Sequence, residues 1–177
     1  MTTDGTTSAP PPLDRVELGA YFALIEVAGL LRHAVEQQLR EEGDLSYVQF
    51  QLLARLGLDS ATGSERMTDL ADGVVYSRSG MTYQAGLLEK AGLVTRAPAA
   101  DDERGVTVTI TDTGRERVAH VLPGHVAVIK DLLLQPLSRR QVEDLFAVLE
   151  PAREHMRSAP PRSARTRRRT RGDTSAH

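Results

Sequence analysis

A short stretch of this chain concentrates side chains suited to reading a nucleic-acid groove: Ser77, Arg78, Ser79, Thr82, Tyr83 and Gln84. They fall in the first two turns of a segment where Met81, Ala85, Leu88 and Ala91 recur at helical spacing, which predicts a helix from Ser77 to Ala91. Short hydroxyls near a helix N-terminus reach phosphate oxygens, whereas arginine and glutamine pair with base edges. Arg78 and Gln84 are therefore the base-contact candidates, and Ser77, Ser79 and Thr82 the backbone-positioning ones. Ser77 is also a good N-cap type, and the two roles are compatible. Gln84 has a second reading, as a half-buried structural amide. Tyr83 can stack on a sugar or donate to a phosphate. Met81 reads as core.

A second group lies about twenty residues on. Val106, Val108 and Ile110 alternate with Thr107 and Thr109, and Leu93 to Ala97 reads as a partner strand. The hairpin loop between them carries Asp102 and Arg104. A guanidinium at a hairpin tip can enter a narrow minor groove, where the negative potential is enhanced. Asp102, two residues earlier, can hold it in a bidentate pair. The alternative is a solvated loop ion pair of little energetic weight. Arg96, on the first strand, is a further phosphate candidate.

The elements that must position these groups follow from spacing and caps. Met67 to about Val74 reads as a helix preceding Ser77, and Gly92 sits where a helix end favours a left-handed residue. Helix, turn, helix, hairpin is a winged helix-turn-helix, in which the second helix lies in the major groove. Asp14-x-x-Glu17 is a capping box opening a long helix, with Leu18, Tyr21, Phe22, Ile25, Ala28, Leu31, Val35 and Leu39 on its stripe down to Gly43. Ser46-x-x-Gln49 caps a helix from Tyr47 to about Leu56, and Gly57 to Glu65 reads as a polar loop. A helix after Thr111 is kinked or restarted at Pro123, and Pro136 ends it. Ser138-x-x-Gln141 caps the last helix, where Pro151 predicts a kink. The fold class expected is mainly α with a small antiparallel β-hairpin wing, flanked by N- and C-terminal helices. The apolar stripe of the first helix suits packing against a second subunit.

The runs SRSGMTYQAGLLEKAGLV (Ser77 to Val94) and DDERGVTVTITDTG (Asp101 to Gly114) resemble the MarR family of transcriptional regulators. Asp102-x-Arg104-Gly105-Val106 and Thr111-x-x-Gly114 are the most specific features, and SYVQFQLLARL is similar to the family segment that buttresses the reading head. The resemblance covers about residues 14 to 157. It implies a winged helix-turn-helix over about 46–111, with dimerisation helices over about 14–42 and 112–157. It further implies a homodimer on double-stranded DNA with a palindromic site, acting as a ligand-responsive repressor. A pocket for a small aromatic effector is implied between head and dimer helices, where His33, Tyr47 and Arg55 are the polar residues placed to line it. The chain departs from the pattern at Tyr83 and Leu87, where the family commonly carries arginine.

Composition narrows the alternatives. The 177 residues suit one main domain. Cysteine is absent, which removes disulfides, thiolate metal sites and thiol redox sensing. His120 and His125 are five apart, off one helical face, and no metal or cofactor is expected. No nucleophile, base and orienter arrangement and no Gly-rich cofactor loop is visible, so no enzyme is expected. No uninterrupted apolar run approaches the roughly 18 residues of a membrane span, and the expected location is cytoplasmic. The net charge of −2 conceals an asymmetry: residues 159–177 hold six arginines and one aspartate, leaving an acidic body. Residues 1–13 read as a disordered leader and 158–177 as a basic disordered tail, whose Arg162, Arg165, Arg167, Arg168, Arg169 and Arg171 suit salt-sensitive DNA affinity. The acidic body and the absent arginines favour a rival reading, a winged-helix protein-interaction module without specific DNA binding.

Overall fold

The first helix starts where the Asp14-x-x-Glu17 pattern places it. In the computed structural model, which describes residues 11–74, 77–99 and 102–158 without the side chains of 102–104, α1 spans Arg15–Gly43. Asp14 Oδ1 accepts from the N–H groups of Val16 and Glu17 at 2.7 and 2.9 Å, and Glu17 accepts from Asp14 N–H at 2.8 Å. The same reciprocal box, Ser46 with Gln49, opens α2 (Tyr47–Ala54), which passes into a π-helical turn at Arg55–Asp59. Residues 1–10 of the expected leader and 159–177 of the expected tail lie outside the described residues, while Ser158, expected to open the tail, closes the last helix.

The head follows. A strand β1 (Ser64–Arg66) leads into α3 (Met67–Gly73), then α4 (Arg78–Lys90), then β2 (Val94–Ala99) and β3 (Asp102–Ile110). Ser77 Oγ accepts from Gly80 N–H at 3.1 Å, satisfying one free donor of α4. The strands form one antiparallel sheet in the order β1-β3-β2.

Two expectations need correction here. Residues 57–65 are not a plain loop, because they contain the end of the π-helical turn and the start of β1. That strand has no alternation to betray it. It is held by pairing Ser64, Glu65 and Arg66 with Thr109, Val108 and Thr107, and by a 2.7 Å hydrogen bond between the hydroxyls of Ser64 and Thr109. The wing is also longer than its alternation suggests. Ala99 pairs with Asp102 and Pro98 with Val106, so 103–105 bulge out of the ladder. Arg104 therefore sits in a bulge on the returning strand, just past the tip. Pro98 is tolerated because β2 is the edge strand.

Thr111 caps α5 (Asp112–Ile129), accepting from Gly114 N–H at 3.0 Å. The helix continues through Pro123 without restarting, then forms a second π-helical turn at Lys130–Leu134. Ser138 and Gln141 exchange capping bonds before α6 (Arg139–Ser158), which runs through Pro151.

One core joins these elements. Leu39, Leu52, Leu53, Leu56, Leu70, Met81, Leu88, Val94, Val108 and Val121 are fully buried, so the head is fused to the C-terminal half of α1 and the first half of α5. The first half of α1 and all of α6 contribute nothing to it. Tyr21, Phe22, Ile25 and Leu30 on α1, and Phe146, Val148 and Met156 on α6, are exposed. The membrane expectation is corrected in one respect: α1 is long and apolar enough, by length and composition, to cross a bilayer. Glu26 divides its apolar stretch, so the sequence shows no uninterrupted run of that length.

Candidate nucleic-acid interface

Helix α4 has two faces because its apolar residues keep helical register. Met81, Ala85 and Leu88 are buried against the core, while Arg78, Ser79, Thr82 and Tyr83 stand exposed on the opposite side. Tyr83 is 64% exposed, unusual for so large a ring and consistent with a contact surface. Thr82 donates to the Arg78 carbonyl at 2.9 Å, which leaves its oxygen lone pairs outward. Met81 is core, as its spacing implied.

Gln84 lies apart from this exposed group. It is half-buried, and its Oε1 is buried with no hydrogen-bond partner among the described residues. That placement favours the structural reading of Gln84 over base contact.

Arg96 is already engaged. Its Nε donates to Glu89 Oε2 at 2.8 Å, its Nη2 to the same oxygen at 2.5 Å, and its backbone N–H to Glu89 Oε1 at 3.2 Å. These bonds, the side-chain one first, hold the Glu89 carboxyl below its usual range, with burial opposing. No sequence pattern marks Glu89, because its partner lies seven residues on, across a turn. The expected Asp102–Arg104 side-chain pair lies outside the described residues; their backbone places both on β3 beyond the tip.

A shallow open cleft of about 320 Å³ lies where the head meets α5 and α6. Tyr47 and Arg55 line it, as placement suggested, with Phe50, Gln51, Asp59 and Arg157. His33 does not; it is exposed on α1. His125 takes part instead, with its ring 4.5 Å from that of Phe50. Its Nδ1 is buried without a partner among the described residues, and burial pushes its pKa down. Arg55 also donates from Nε to Glu65 on β1 at 2.7 Å, so the cleft wall is tied to the wing sheet. Tyr47 carries the Arg32 guanidinium over its ring, 5.5 Å from the centroid.

Among the described residues no group of three or more potential metal ligands occurs.

No model of a protein family matches the chain. Similar solved structures do. Sco3205, a MarR family transcriptional regulator from Streptomyces coelicolor solved in complex with DNA, is 28% identical, with a TM-score of 0.80 over 88% of this chain and 97% of that one. AbsC, a MarR family transcriptional regulator from the same organism, is 30% identical, with a TM-score of 0.76 over 84% of this chain and 99% of that one. The HTH-type transcriptional regulator PecS of Dickeya dadantii is 27% identical over 146 residues, 82% of this chain and 87% of PecS.

Proposed function

This chain belongs to the MarR family of transcriptional regulators, and we propose that it is a ligand-responsive repressor binding a palindromic operator as a homodimer. The observation that carries this reading is the exposed face of α4, where Arg78, Ser79, Thr82 and Tyr83 project away from a buried Met81, Ala85 and Leu88. In this reading α4 is the recognition helix. Arg78 reads base edges, Ser77, Ser79 and Thr82 fix register on phosphates, and Tyr83 packs on the sugar-phosphate backbone. Arg104, directed by Asp102, enters the adjacent minor groove from the bulge of the wing.

The dimer forms through surface that the single chain leaves bare: the apolar residues of the first half of α1 and of α6. A dyad would set two α4 helices in successive major grooves. The organisation proposed is a head over about 46–111 between dimerisation segments over about 14–42 and 112–157, acting in the cytoplasm. The cleft bounded by Tyr47, Arg55 and His125 receives a small aromatic effector, which acts through differential binding to two separations of the heads. The arginines of 159–177 add salt-sensitive, sequence-independent affinity.

The test is a gel shift of the full chain on the intergenic DNA upstream of its own gene, with salt varied and non-specific competitor in excess. A discrete, competitor-resistant shift is expected. A smear lost at moderate salt would sink the specific-regulator reading and favour an interaction module.

A further inference from the structure

Glu89 stands in the last turn of α4 and Arg96 in the middle of β2. One carboxylate holds both the backbone N–H and the guanidinium of Arg96, through three hydrogen bonds of 2.5–3.2 Å. The guanidinium lies across Gly86, close to the spot a β-carbon there would occupy. The covalent route between helix and strand runs through Ala91, Gly92 and Leu93. Gly92 has φ +72° and nothing near the place of a β-carbon, so it adds no packing of its own, and the foot of the hairpin is held instead by Val94, Val108 and Ile110 in the core.

The third strand braces β3 at the level of Arg96, no further out than Thr107. β1 pairs only with Thr107, Val108 and Thr109 of β3, and Arg96 is the register partner of Val108. The contact with Glu89 thus acts partway up the hairpin, above the Val94–Ile110 pair at its foot. From Val108 to Arg104 is four residues, at most about 13 Å of strand. A tilt of about 10° at that level would carry the bulge about 2 Å, beyond the tolerance of a hydrogen bond.

We propose that Glu89 and Arg96 form a clasp that fixes the wing against the recognition helix, making Arg96 a positioning residue rather than a phosphate contact. The inference rests on the reading of Arg104 as the wing's DNA contact.

The decisive variant is Glu89→Gln, which removes a negative charge and turns one of the two acceptor oxygens into a donor, so that it cannot hold both the N–H and the guanidinium of Arg96. If Arg96 served as a phosphate contact, this change would leave DNA affinity unchanged or raise it. With a clasp, affinity for a duplex enriched by the full chain from a randomised pool falls about tenfold. Arg104→Ala alone should also cost about tenfold, yet little more than twofold when added to Glu89→Gln, because the wing is already misplaced. The charge swap Glu89→Arg with Arg96→Glu should restore part of the loss. Thermal midpoints, measured on every variant, separate misplacement from unfolding; should Glu89→Gln unfold, Arg96→Lys serves in its place. Unchanged or tighter binding by Glu89→Gln overturns the clasp, as does an Arg104→Ala cost that is the same in both backgrounds. If Arg104→Ala has no effect on the otherwise native chain, the wing reading itself fails.

Discussion

The Arg55 guanidinium lies against Gly73 in the space a β-carbon would need, while its Nε bonds Glu65 at 2.7 Å. One side chain thereby braces the end of α3, the edge strand β1 and the wall of the cleft. Gly73→Ala must displace the guanidinium and break that bond, and is expected to lower stability by about 1–3 kcal/mol. In an Arg55→Ala background the obstacle is gone, and the same substitution should gain up to about 1 kcal/mol from helix propensity. Urea titration of the four proteins measures both. The same sign in the two backgrounds would show that Arg55 is not what excludes a β-carbon.

Thr111 and Gly114 join the wing to α5. The Thr111 hydroxyl donates to the Gly92 carbonyl at 2.7 Å and accepts from Gly114 N–H at 3.0 Å. A β-carbon on Gly114 would collide with the Leu93 carbonyl oxygen and come within 2.8 Å of Ile110 Cγ1. Backbone cannot step aside as a side-chain end can. Gly114→Ala should therefore cost about 3 kcal/mol, against about 1 kcal/mol for Gly92→Ala, where only a left-handed φ is at stake. Thermal melts of the two variants should rank in that order, and the reverse ranking would refute the collision.

Features encoded within a few residues could be read from the chain, and those requiring a distant partner could not. The boxes at Asp14/Glu17, Ser46/Gln49 and Ser138/Gln141 span three residues, so a pattern reveals them. The two faces of α4 follow from helical period alone. β1 escaped because a Ser-Glu-Arg strand exists only through its pairing with β3. In the sequence His125 has only His120 near it as a possible partner. Its neighbour Phe50 lies on a different helix, and no spacing rule joins them. Arg96 reads as outward-facing in the sequence, since a charge seven residues away across a turn carries no periodic signature.

His125 should make stability depend on pH. Burial disfavours its charged form, so its folded-state pKa lies below the ordinary value of 6.5. The unfolded chain then binds the extra proton first, and stability present above about pH 6.5 is lost as pH falls toward the folded pKa. Replacing His125 by Gln removes this contribution. Melts from pH 8 to 5.5 should fall less steeply for the variant than for the native chain. Parallel curves would place the relevant titration elsewhere.

The exposed apolar surface supports the last prediction. Phe22 on α1 and Phe146 on α6 are 61% and 66% exposed, and neither helix region is needed to bury the head's core. If a second copy covers both, Phe22→Glu with Phe146→Glu places charges in a desolvated interface without disturbing the head. Sedimentation should then change from dimer to monomer with helical content of the remaining chain retained. DNA affinity should fall by about a hundredfold or more, because two linked half-sites become one. A variant that sediments like the native chain would remove these faces from the interface. The length and apolarity of α1 also fit a bilayer, and flotation with phospholipid vesicles separates the cases. A dimer that stays out of the vesicle fraction has α1 covered by protein. Glu26, within the apolar stretch, favours that outcome, since a carboxylate in hydrocarbon costs several kcal/mol and one at a helix–helix boundary can reach water.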